Sequence, residues 1–138
     1  MSAYENRVVN PPSLARPSGF AHAVVTGGGR TVWLAGQTAL DADGRVVAPG
    51  DVVAQFEQAL TNLLTALREA GGEPEHLVTM TTYIVDVPDY RTRAREVGQV
   101  WRRLVGTRYP AMAGIGVARL WDDDALVEVQ GVAVVPEG

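Results

Sequence analysis

Apolar residues recur at helical spacing through Val52, Phe56, Ala59, Leu60, Leu63, Leu64 and Leu67, and this stripe constrains the fold more than any other feature. So continuous a stripe has to be buried, so the helix carrying it needs a broad apolar partner. Pro49-Gly50 followed by Asp51 gives an entry with a side chain able to cap, and Gly71-Gly72 gives a stop. The run His76 to Val85 (HLVTMTTYIV) follows at once and is rich in β-branched residues, as a buried strand would be. A second helix opens at Pro88-Asp89, sets Tyr90, Ala94, Val97, Trp101 and Leu104 on one face, and ends at Gly106.

The remaining segments read as strands. A short one lies near Val8-Val9, before an irregular stretch with Pro11, Pro12, Pro17 and Gly19. Phe20 to Thr26, the turn Gly27-Gly28-Gly29-Arg30 and Thr31 to Gln37 predict a hairpin. Ala113 to Leu120 and Ala125 to Val134 flank the acidic turn Asp122-Asp123-Asp124. The order β-β-β-α-β-α-β-β predicts a single α+β domain over residues 1–138, a mixed sheet with two helices packed on one face. The opposite face also needs cover, and in 138 residues the available cover is another copy of the chain.

Composition removes several chemistries. All twelve basic residues are Arg, so no lysine Schiff base and no Walker lysine can form. The chain has no Cys, which removes thiol nucleophiles and thiolate metal sites. His22 and His76 lie far apart without ligand spacing, so no histidine-rich metal centre is expected. A net charge of −4 argues against nucleic acid as the partner. No apolar run reaches the ~18 residues of a membrane span, and Met1 to Arg7 lacks a leader pattern; a cytoplasmic location is the expectation. Gly27-Gly28-Gly29 is not a phosphate loop, because no helix with Lys-Ser/Thr follows, and Asp122 to Asp124 reads as a solvated turn.

A family resemblance emerges from an ordered set of short pieces: Leu34-Ala-Gly-Gln37, Leu40-Asp41, Gly44, Gly50-Asp51, helix residues Gln55 and Asn62, Ala70-Gly71, Pro110-Ala111, Val117-Ala-Arg-Leu120 and Leu126-Val-Glu-Val129. In this order and spacing the chain resembles the RidA/YjgF family of reactive-intermediate deaminases along nearly its whole length. The resemblance implies a homotrimer in a chorismate-mutase-like arrangement, with small-molecule clefts between subunits. It also implies hydrolysis of enamines or imines to ketones and ammonia without metal or cofactor. In the family an arginine binds the substrate carboxylate, and a glutamate near the C-terminus positions or activates water.

Position by position, the glutamate matches Glu128, but the carboxylate-binding arginine falls on Met112. The family's early Tyr falls on Phe20, the Ser of its SGQ segment on Ala35, and a Cys of some members on Gly114. These changes predict a roomier, less polar pocket shaped by Phe20, His22, Ala35, Met112 and Gly114, suited to a larger or uncharged ligand. Two readings stand for Glu128: an acid/base that manages water, or a structural carboxylate. Two also stand for His22, a proton donor to an imine nitrogen or a satisfied strand histidine. Arg119 and the cluster Arg91, Arg93 and Arg95 are the remaining candidate anchors. The leading function is enamine or imine deamination with Glu128 as the catalytic residue. The alternatives are a non-catalytic metabolite-binding protein and a pathway enzyme acting on an aromatic or cyclic substrate.

Overall fold

The periodic stripe forms the helix it predicts in a computed structural model that describes residues 3–138. Met1 and Ser2, part of the segment read for a leader, lie outside the described residues. Helix α1 spans Val52–Glu69, and the Asp51 carboxylate accepts a 3.1 Å hydrogen bond from the Ala54 amide at its start. Beyond its end the chain turns through Gly71, whose φ of 94° suits glycine. Val52, Phe56, Ala59, Leu60, Leu63, Leu64 and Leu67 are all buried.

Strands β1 (Glu5–Val9), β2 (Ala23–Gly27), β3 (Gly29–Gln37), β4 (Leu77–Ile84), β5 (Ala111–Gly116) and β6 (Val127–Pro136) make two sheets. The larger has the order β3-β6-β4-β5, antiparallel except for the parallel pair β4 and β5, so it is mixed as predicted. Strict alternation along β6 sends Val127, Val129, Ala133 and Val135 into the core beneath α1. Leu77 and Met80 of β4 join them. The helices thus share one face of the sheet. No helix among the described residues is long and apolar enough to cross a membrane.

Three details correct the sequence reading. First, β2 and β3 do not form a hairpin: β2 pairs with β1 and β3 with β6. Only Gly28, with φ 68°, separates them, so the chain turns a corner where a reversal needs about two loop residues. The β1–β2 ribbon instead meets the edge of β5, where Ala21 bridges Ala111, and Tyr4 donates from its hydroxyl to the Val134 carbonyl at 2.9 Å. Second, the predicted second helix is two: α2 (Val87–Thr92) and α3 (Ala94–Leu104). Asp86 caps α2 through a 3.0 Å bond from the Asp89 amide, and Arg93 breaks the run with φ −101° and ψ 12°. The element order is therefore β-β-β-α-β-α-α-β-β, with a 3-10 turn at Pro74–His76. Third, β5 ends at Gly116, so Arg119 lies exposed in a loop where strand alternation does not apply.

Gln55 and Asn62 act as latches within this frame. Gln55 is fully buried; its amide donates to the carbonyls of Ala48 (3.3 Å) and Asp124 (3.0 Å) and accepts from the Leu126 amide at 2.8 Å. Asn62 donates to Thr38 and Leu40 at 3.2 and 2.9 Å. Together they tie both loops that approach α1 to its side.

Candidate functional site

Strand register sorts the predicted site residues onto two faces. On β5, Met112 pairs with the buried Met80 and Gly114 with the buried Thr82, so both point to the helix side. Ile115, one residue on, pairs with Tyr83 and faces the other way. A hollow of about 130 Å³ opens on the helix side, lined by Phe20, Thr82, Ile84, Tyr90, Met112 and Gly114, with Ala113 at its edge. Three predicted residues, Phe20, Met112 and Gly114, therefore meet. A Cβ on Gly114 would make only ordinary contact with Ile84, at 3.7 Å, so the missing side chain leaves open room.

Tyr90 and Thr82 line this hollow without having been singled out in the sequence. Tyr90 packs edge-on against Phe56, with ring centroids 6.4 Å apart, and burial pushes its phenol up to about 12. Helical periodicity shows Tyr90 as one more apolar position and does not reveal where its hydroxyl end lies.

Glu128 stands on the opposite face. It alternates with Val127 and Val129, both completely buried, and lies across from Tyr83. The β3–β6 register slips between Leu34 and Gln37, so Ala35 and Gly36 share a single opposite residue, Gln130, and Gly36 comes against the Glu128 side chain. A Cβ at residue 36 would overlap the Glu128 carboxylate, so the absence of a side chain at Gly36 makes its seat. No hydrogen bond or ion pair engages that carboxylate among the described residues. Ala35 shares this open face with the groove lined by Trp33, Thr79, Thr81, Gln130 and Val132. A ligand beside Met112 thus has the sheet between it and Glu128 of its own chain.

His22 does not line the hollow. Its Nε2 lies 2.7 Å from the Ala15 carbonyl, its ring meets Phe20 edge-on at 5.1 Å, and its amide donates to Asn10 at 2.8 Å. It is placed to brace Phe20. Of the three helix arginines, Arg93 is committed: it grips Glu96 at 2.7 and 3.0 Å and approaches Asp51 at 3.8 Å. Its hydrogen bond holds the Glu96 carboxyl below the usual range. Arg91 and Arg95 are exposed. No group of three His, Asp or Glu side chains converges to hold a metal ion among the described residues.

Comparison with known proteins gives a consistent set of relatives. The family model described as endoribonuclease L-PSP matches residues 13–135. A RutC family protein, UK114, from Drosophila melanogaster is 30% identical over 97% of this chain and 93% of its own length. A goat (Capra hircus) protein named 2-iminobutanoate/2-iminopropanoate deaminase is 29% identical over the same shares. Among solved structures, a Rid-family protein of unknown function from Yersinia pestis superposes with a TM-score of 0.85 at 35% identity, covering 95% of this chain and 99% of that one. TdcF from E. coli, solved with bound serine, gives 0.66 at 26% identity over 91% and 92%.

Proposed function

The chain belongs to the RidA/YjgF family, and from that premise we propose that it hydrolyses an imine or enamine in a cleft completed by a second copy of itself, as one subunit of a homotrimer. The observation that carries this reading is the division of the site. The hollow with Phe20, Met112 and Gly114 and the seat of Glu128 lie on opposite faces of one sheet. Apposing the open face of one subunit to the hollow's edge on its neighbour would bring them to one ligand. The open face is also apolar enough to need cover: Trp33 is 77% and Ile115 43% exposed on it.

In this cleft Glu128 takes a proton from water as the oxygen attacks the imine carbon. The C=N electron pair moves to nitrogen, which takes up the proton Glu128 has just accepted, so the carboxylate is restored. The resulting carbinolamine then collapses to the ketone and releases ammonia. Imines are labile, so one carboxylate acting on water is a sufficient catalyst, and neither metal nor cofactor is called for. Because Met112 stands where a carboxylate anchor would be, the substrate is larger or less acidic than a small 2-imino acid. The ribonuclease in the family model's description draws no support from the hollow, whose lining contains no basic side chain.

The test is hydrolysis of two imines, a small 2-imino acid generated in situ and a bulky imine without a carboxylate, by wild type and Glu128→Gln. The wild type should accelerate the bulky imine, and Glu128→Gln should lose about 100-fold or more of that rate. No acceleration of either imine above buffer would overturn the reading.

A further inference from the structure

Apart from its two hydroxyls, the hollow's side chains are those of Phe20, Ile84 and Met112, with Gly114 adding backbone alone and Ala113 at the edge. The hydroxyls belong to Thr82, on β4, and Tyr90, on α2. The indole nitrogen of Trp101 is the fully buried side-chain polar atom left without a partner among the described residues. No hydrogen bond within those residues engages the Tyr90 or Thr82 hydroxyl either, and both residues line a space that a ligand can enter. We infer that Tyr90 and Thr82 form the hydrogen-bonding edge of an otherwise apolar subsite, and that the group this subsite takes is neutral, ring-sized and bears an acceptor such as a carbonyl. The inference deepens the reading above and rests on it for treating the hollow as the substrate pocket.

Three physical points support this chemistry. A phenol shifted to about 12 by desolvation keeps its proton at every ordinary pH, so Tyr90 remains a neutral donor. With no basic side chain in the lining, a carboxylate entering the hollow would lose hydration without a counter-charge, whereas a carbonyl would exchange one hydrogen bond for another. The volume of about 130 Å³ is also apt, because an apolar cavity on the order of 150 Å³ admits a benzene ring. Tyr90 and Thr82 are thus specificity-determining residues, distinct from Glu128 in face and in role.

The experiment is an NMR chemical-shift titration of the intact protein with acetophenone, with ethylbenzene (the same outline without the carbonyl) and with benzoate. Wild type, Tyr90→Phe and Thr82→Val are compared. Tyr90→Phe should weaken acetophenone by about 3- to 10-fold, the worth of one neutral hydrogen bond, and leave ethylbenzene unchanged. Thr82→Val should act in the same direction, and benzoate should bind wild type at least ~10-fold more weakly than acetophenone. The inference is overturned if Tyr90→Phe weakens both neutral probes equally or neither, if benzoate matches acetophenone, or if no probe shifts the hollow's resonances. Absent imine turnover with the acetophenone effect intact overturns the reaction alone; turnover without that effect overturns this inference alone.

Discussion

Met112 concentrates the difference between this chain and the chemistry its family resemblance implies. It projects into the hollow beside Thr82 and Tyr90 and offers a ligand polarizable contact but no charge. Met112→Arg would restore a fork of donors, each charge-assisted bond worth roughly 1.5–3 kcal/mol. The expected outcome is ~10- to 100-fold tighter binding of a small 2-keto acid, with the bulky uncharged imine turned over more slowly; calorimetry and paired kinetics check both. Gly36 tests the other half of the site. A Cβ there collides only with the mobile end of Glu128, and no positive φ requires glycine. Gly36→Ala should therefore change stability by less than about 1 kcal/mol yet displace the carboxylate and lower activity nearly as far as Glu128→Gln. Thermal melts beside turnover rates separate the two effects. Glu128, Met112, Phe20 and Gly114 could be singled out as candidates in the sequence because motif order places them. The use of Gly36 could not, because it depends on a bulge that brings β3 against the Glu128 side chain, and a bulge leaves no periodic mark.

The strands and helices were legible where local pattern and tertiary need agree. The α1 stripe, its Asp51 cap and its glycine stop coincide with what the sheet requires. They were misread where a local pattern fits two topologies. Alternation on either side of Gly27-Gly28-Gly29 is compatible with a hairpin, but the one-residue corner at Gly28 sends β2 to β1 and β3 to β6. The apolar spacing from Tyr90 to Leu104 runs through Arg93 without a flaw, yet Arg93 takes a non-helical conformation, with its side chain held by Glu96 and Asp51. Gln55 shows an amide inside an apolar stripe serving as a joint between elements. Gln55→Leu would keep the volume but strand the Leu126 amide and the Asp124 carbonyl in the core. The cost should be about 2–4 kcal/mol, since each buried group left unpaired costs roughly 1–3 kcal/mol. Denaturant titration at fixed protein concentration measures it, and a loss below about 0.5 kcal/mol would show that the latch carries no load.

Assembly, as proposed, would make one site of the separated residues. A sheet whose second face displays Trp33, Ile115, Ala35 and the Glu128 carboxylate has no covering layer among the described residues. A cyclic, head-to-tail trimer would supply the cover and pair each subunit's Glu128 with its neighbour's hollow. This arrangement makes a prediction that a self-sufficient subunit does not. Glu128→Gln keeps a sound hollow; Gly114→Leu fills the hollow while leaving the Glu128 face untouched, since residue 114 points to the helix side. Each variant alone should be inactive toward the bulky imine. When equal amounts are dissociated, mixed and reassembled, about a quarter of the clefts should combine an intact hollow with an intact glutamate, and activity should return to about that fraction of wild type. Sedimentation must show trimers in all samples, which separates loss of the site from loss of assembly. If the mixture stays as inactive as its parents while remaining trimeric, hollow and carboxylate do not act on one ligand. If either parent is active alone, its altered half is not needed for the reaction.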